Sequence, residues 1–293
     1  MTAVTAPRPS RIASGAGPLR RDRWPARVVA LGLVVASSYG LLASDPYRGV
    51  TDATVVAAKA QDVCSLVVAV GLVLLSTRAS ARAHLVRLGL FGYVAYSYAI
   101  FIWGVAMNRA FLVYVVLVAV AGAALLDGLV RLVPDAWPRA SSRRLERGTG
   151  WFLIVVALLF AALWLSVLLP FAFGGPHPVP EGPGGAPYPV FVLDLGVALP
   201  CVAAVGLLLR SGRRIAGPLA VVVLVKIITL FSVLWVGVVA GLLGDSDVTL
   251  GPDAGPSLVM VAVCCWLLVR WLREMAAAGP DAMRPTFWPT ERD

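Results

Sequence analysis

Long apolar runs, separated by short segments that carry arginine or by segments rich in glycine and proline, set the pattern of this chain. The runs cover about 28–43, 54–76, 88–107, 110–130, 151–170, 190–209, 216–243 and 257–273. Most approach the ~20 residues that a helix needs to cross ~30 Å of hydrocarbon. The pattern therefore predicts an all-α, polytopic helical membrane bundle of about eight transmembrane helices over residues 26–275. Before it, residues 1–25 mix Pro7, Pro9, Gly15, Gly17 and Pro18 with arginines and are expected to be a disordered cytoplasmic tail. After it, residues 276–293 hold Pro280, Pro285 and Pro289 and are expected to leave the bilayer, with Phe287 and Trp288 suited to its interface.

Composition agrees with the pattern. The chain has 293 residues, 59% of them hydrophobic and only 14% charged, with a mean hydropathy of +0.84. Soluble domains carry about 25% charged residues, so the chain belongs in a bilayer. In a soluble protein the net charge of +9 suggests nucleic acid; here the arginines cluster between apolar runs, so no nucleic-acid partner is expected and membrane lipids are. Arg78, Arg82 and Arg87, then Arg131, Arg139, Arg143, Arg144 and Arg147, then Arg210, Arg213 and Arg214 fall in alternate connections, against Arg48 and Arg109 in the others. The positive-inside rule then expects both termini in the cytoplasm, in a cell (inner) membrane, with the first run an uncleaved anchor.

Charges inside the runs change the picture more. Only two of the basic residues are lysines, Lys59 and Lys226, and both lie in or at the edge of apolar runs, as do Asp62 and Asp194. A charge at a helix centre in hydrocarbon costs roughly 2.5–3.5 kcal/mol even on lenient scales, so such residues normally face a protein interior or a water-filled cavity. At 1.5 Å per residue, Asp62 and Asp194 are expected ~10 and ~6 Å below the outer surface and Lys226 ~14 Å from the cytoplasmic one. Lys226 is expected to meet a carboxylate, Asp62 or Asp194, with Tyr93 or Tyr96 alongside. Lys59 either pairs with Asp62 along its helix or snorkels outward; Asp194 either lines the site or caps its helix; Asn108 either caps the next helix or contacts a ligand. These seven residues are the candidate ligand-binding or proton-coupling set.

Metal, cofactor and catalytic motifs are not found. Cys64, Cys201, Cys264 and Cys265 lie in apolar runs without a Cys-x-x-Cys pair and read as small buried hydrophobes. His84 and His177 read as loop residues, and there is no His-Glu-x-x-His. A parallel repeat of four plus four spans is suggested by Asp62 with Arg78 and Arg82 against Asp194 with Arg210 and Arg214 at the same separations.

Ala60-Gln61-Asp62, Tyr93-x-x-Tyr96-x-Tyr98-Ala99, Asn108-x-x-Phe111-Leu112-x-Tyr114, Asp194 with Pro200, and Lys226-x-x-Thr229 resemble the pattern of a group of uncharacterised multi-span membrane proteins from actinobacteria and other bacteria. Ala60 and Arg109 stand where that group often has glycine and proline. The resemblance implies one polytopic unit and carries no activity with it. Three functions remain open: a small-solute or ion transporter or binding protein, an intramembrane enzyme acting on a lipid or quinone, and a non-catalytic scaffold or sensor.

Overall fold

The computed structural model describes residues 23–78, 80–105, 107–132, 142–176, 188–243 and 254–277. All regular structure among them is helical: α1 (Arg23–Leu42), α2 (Asp52–Ser76), α3 (Ala81–Gly104), α4 (Phe111–Val130), α5 (Arg143–Ala172), α6 (Tyr188–Leu193), a π-helical turn (Asp194–Ala198), α7 (Leu199–Arg210), α8 (Ala216–Leu243) and α9 (Ala254–Ala277). Seven segments among the described residues are long and apolar enough to cross a membrane: α1 to α5, the composite of α6, the π turn and α7, and α8. The chain is an integral membrane protein. The eighth expected span, 257–273, lies within α9. Of the two tails, all but residues 23–25 and 276–277 fall outside the described residues, as does His177.

Helix ends explain where the hydrophobic pattern misplaced boundaries. Ser80 and Ser142 accept hydrogen bonds from the backbone N–H groups of Ala83 and Leu145 at 3.2 and 3.3 Å, so α3 and α5 each begin well before the apolar run expected there. His84 is therefore in the first turn of α3, not in a loop. Thr51 caps α2 in the same way. The sixth span is also not the regular helix expected. Pro200 has no N–H to offer Gly196 four residues back, and its ring crowds that carbonyl. The chain widens just before it, and the Leu199 N–H reaches the Asp194 carbonyl, a five-residue step.

Packing divides the bundle into two groups of helices. In the first, α1 packs on α2 and α4, and α3 packs on α4 and α2. In the second, α5 packs on α7, and α8 packs on α7 and α9; Trp271 of α9 donates to Thr149 Oγ1 of α5 at 3.1 Å. The groups meet where α8 lies on α3 and α2 and where α6 touches α3. Small residues permit these approaches. A Cβ on Gly89 would come within 2.9 Å of the Val222 carbonyl oxygen, and one on Gly206 within 2.8 Å of the Gly150 carbonyl oxygen.

Buried charge at the helix ends is matched to backbone carbonyls. Arg87, fully buried, donates through Nη1 to the carbonyls of Leu75 and Arg78 at 2.6 and 3.1 Å, closing the end of α2. Asp127 and Arg131 pair one turn apart at 2.6 Å. Cys64 and Cys264 are buried, whereas Cys201 and Cys265 are exposed on the bundle surface, contrary to the reading that all four are buried. Apolar runs alone do not distinguish a protein-facing from a lipid-facing position.

Candidate functional site

The four intramembrane charges do not converge on one point. Asp62 lies in a polar cluster within the first helix group, Asp194 and Lys226 lie in a second at the junction of the groups, and Lys59 is in neither.

Asp62 belongs to the first. It is 1% exposed on α2 and accepts a short hydrogen bond on Oδ2 from the hydroxyl of Tyr47. Tyr47 lies in the connection between α1 and α2, with its ring set edge-on against Phe101 at 6.0 Å. Burial, and then the neighbouring Asp62 carboxyl, push the Tyr47 phenol above its ordinary range. Asn108 anchors this connection: its amide donates to the Pro46 carbonyl at 3.1 Å and to the Tyr114 hydroxyl at 3.2 Å, while its Oδ1 accepts from the Ala110 N–H at 2.9 Å. Asn108 is thus a structural clamp ahead of α4. Gly40 faces Asp62 so closely that a Cβ there would collide with the carboxylate and the Tyr47 hydroxyl.

Tyr93 stands beside the same cluster rather than beside Lys226. Gln61 donates to the Tyr93 hydroxyl at 2.7 Å and to Ser65 Oγ at 3.2 Å, and Tyr98 donates to Ser65 Oγ at 3.3 Å. Lys59 is exposed on α2 and makes no ion pair with Asp62. The expected intrahelical pair fails because Asp62 turns inward to Tyr47 while the lysine faces out of the bundle.

The second cluster joins α3, α5, α8 and the π turn. Asp194, 8% exposed, is the first residue of that turn rather than a cap at the helix start. Its Oδ1 accepts from the Tyr96 hydroxyl at 2.7 Å and its Oδ2 from Trp164 Nε1 at 2.9 Å. Trp164 is held edge-on by Phe191 at 5.1 Å. The half-buried Lys226 sets its ammonium 3.9 Å from the centre of the Tyr96 ring. It forms no direct ion pair with either aspartate among the described residues, so the expected carboxylate partner is replaced by the face of the tyrosine that holds Asp194. The ring quadrupole attracts the cation while the hydroxyl serves the acid.

Sequence reasoning missed Tyr47, Gly40 and Trp164. Tyr47 follows Pro46 at a membrane edge where aromatics are common, and Trp164 is the only donor-bearing side chain in its stretch of α5 apart from Ser166. Pro200 was the available signal for the widened turn. Among the described residues no three His, Cys, Asp or Glu side chains gather to hold a metal ion. Comparison of the chain with family models, curated proteins and solved structures gives no match.

Proposed function

We propose that the chain is a small-solute or ion transporter, or a binding protein of the same kind, whose charged site is formed by Asp194, Tyr96 and Lys226 between the two helix groups. The observation that carries this reading is the ammonium of Lys226, half-buried over the Tyr96 ring with no direct ion pair among the described residues, beside an acid whose two oxygens already have neutral donors. A lysine serving only to hold helices together gains most from a direct ion pair; this one keeps N–H donors free of any carboxylate. A π turn at the acid adds support, since such turns gather at functional positions.

The same reading takes the two groups as parallel repeats related by an axis along the membrane normal, with both termini cytoplasmic in the cell (inner) membrane. Supporting it, the second span of each group carries the aspartate, and neighbouring spans within the groups pack in the same order. The test is solute-linked proton movement in proteoliposomes enclosing a pH-sensitive dye. Small organic acids, amines and alkali salts are added outside in turn. At least one class should change the internal pH in vesicles with the parent protein, and Asp194→Asn and Lys226→Met should abolish the change. If no class moves protons beyond protein-free vesicles, the transport reading is wrong.

A further inference from the structure

The Asp62 cluster is not explained by the site at Asp194. Asp62 Oδ2 is occupied by Tyr47, but Oδ1 is buried and has no hydrogen-bond partner. Ser37 of α1, fully buried, also presents an Oγ without a well-formed hydrogen bond among the described residues. This hydroxyl lies beside both the Asp62 carboxyl and the Tyr98 hydroxyl, and Tyr98 in turn reaches Ser65. Oxygen atoms from α1, α2 and α3 are therefore neighbours here, and the nearest lysine, Lys59, faces away.

Leaving such a group uncompensated is expensive. A buried carboxylate without a counter-charge costs far more than an unpaired hydroxyl, and here both occur together. A single carboxylate with hydroxyl oxygens is a hard-donor set without imidazole or thiolate, which excludes a preference for zinc or copper. One negative charge is neutralised by one monovalent cation, whereas a divalent ion leaves a net charge in hydrocarbon. Hard oxygen donors suit a small alkali ion such as sodium.

From this arrangement we propose that Asp62 Oδ1 and Ser37 Oγ, with the Tyr98 and Ser65 hydroxyls near them, form a sodium site within the first helix group, next to the Tyr47 hydroxyl on Asp62 Oδ2. The site uses other residues than the transport reading and does not depend on it.

Thermal unfolding of the purified full chain in detergent micelles tests it, comparing sodium chloride with choline chloride at equal ionic strength near neutral pH. A ligand that binds only the folded state stabilises it progressively as its concentration passes the dissociation constant. The parent should gain several degrees in sodium with saturation, and none in choline. Asp62→Asn should lose the response. Ser37→Ala, which removes only a hydroxyl, carries the test if the first variant folds poorly, and should need about tenfold more sodium for half the effect, equivalent to about 1.4 kcal/mol. Identical curves in sodium and choline overturn the proposal, as does stabilisation by acid that is the same in both salts, which assigns a proton to Asp62. An unchanged half-saturation in Ser37→Ala overturns it too. Because the readout is stability, a flat transport assay has no bearing on it.

Discussion

Two replacements of Tyr96 separate the tasks of one side chain. Tyr96→Phe keeps the ring beneath Lys226 and deletes the hydroxyl that donates to Asp194 at 2.7 Å. Hydrogen bonds to charged groups contribute about 1.5–3 kcal/mol, and Trp164 still serves the other oxygen at 2.9 Å, so a loss of about that size is expected. Tyr96→Leu also removes the π face. A desolvated cation–π contact at 3.9 Å contributes about 2 kcal/mol, which raises the expected loss to about 3.5–5 kcal/mol. Lys226→Met removes the cation alone and should cost about 2 kcal/mol, below the 3–5 that follows when a buried ion pair is broken. In the cycle of Tyr96→Leu with Lys226→Met, the shared contact is lost once rather than twice, so a coupling of about 2 kcal/mol is expected. Tyr96→Phe with Lys226→Met should add within about 0.5 kcal/mol. Unfolding in mixed micelles with a rising fraction of dodecyl sulfate, followed by circular dichroism, measures all of these. Equal coupling in the two cycles would refute the reasoning, because Lys226 would then be acting on the acid rather than on the ring.

Gly206→Ala should lose about 1–3 kcal/mol, because the new methyl meets the Gly150 carbonyl oxygen and the Ile154 Cγ1, both at 2.8 Å. Gly148→Ala, with nothing within 4 Å of its Cβ, is the control, and equal losses in the two would remove the close approach of α5 and α7 as the cause. The raised Tyr47 phenol gives a pH signature. The folded state holds that proton more tightly, so the contribution is fully present below about pH 10, the unfolded phenol's range, and is lost as the pH rises above it. Tyr47→Phe should flatten the alkaline fall in unfolding stability, and an unchanged fall would show that Tyr47 does not produce it. Reporter fusions after Gly175 should report an exported position and those after Arg144 a cytoplasmic one; the reverse pattern would overturn the proposed orientation.

The apolar runs and their arginine-bearing connections were enough to define a helical membrane protein, because hydrocarbon demands long segments with every backbone group bonded internally. The apolar runs were a poor guide to helix boundaries, because the capping serines that start α3 and α5 lie well before them. The charged residues were conspicuous for the same reason. Their partners were not. Leu112 on α4 and Leu159 on α5 are 75% and 64% exposed, while Leu85 and Leu153 are completely buried; lipid is as apolar as a protein core, so the sequence pattern does not mark which helix face turns inward. Tertiary packing alone decided that Asp62 meets Tyr47, that Tyr93 turns to Gln61, and that Asp194 is held by Tyr96 and by Trp164 from another helix. Composition and spacing determined that charges are buried in this membrane protein; the rotation and approach of its helices, set by small residues and by the widened turn before Pro200, determined what each charge touches.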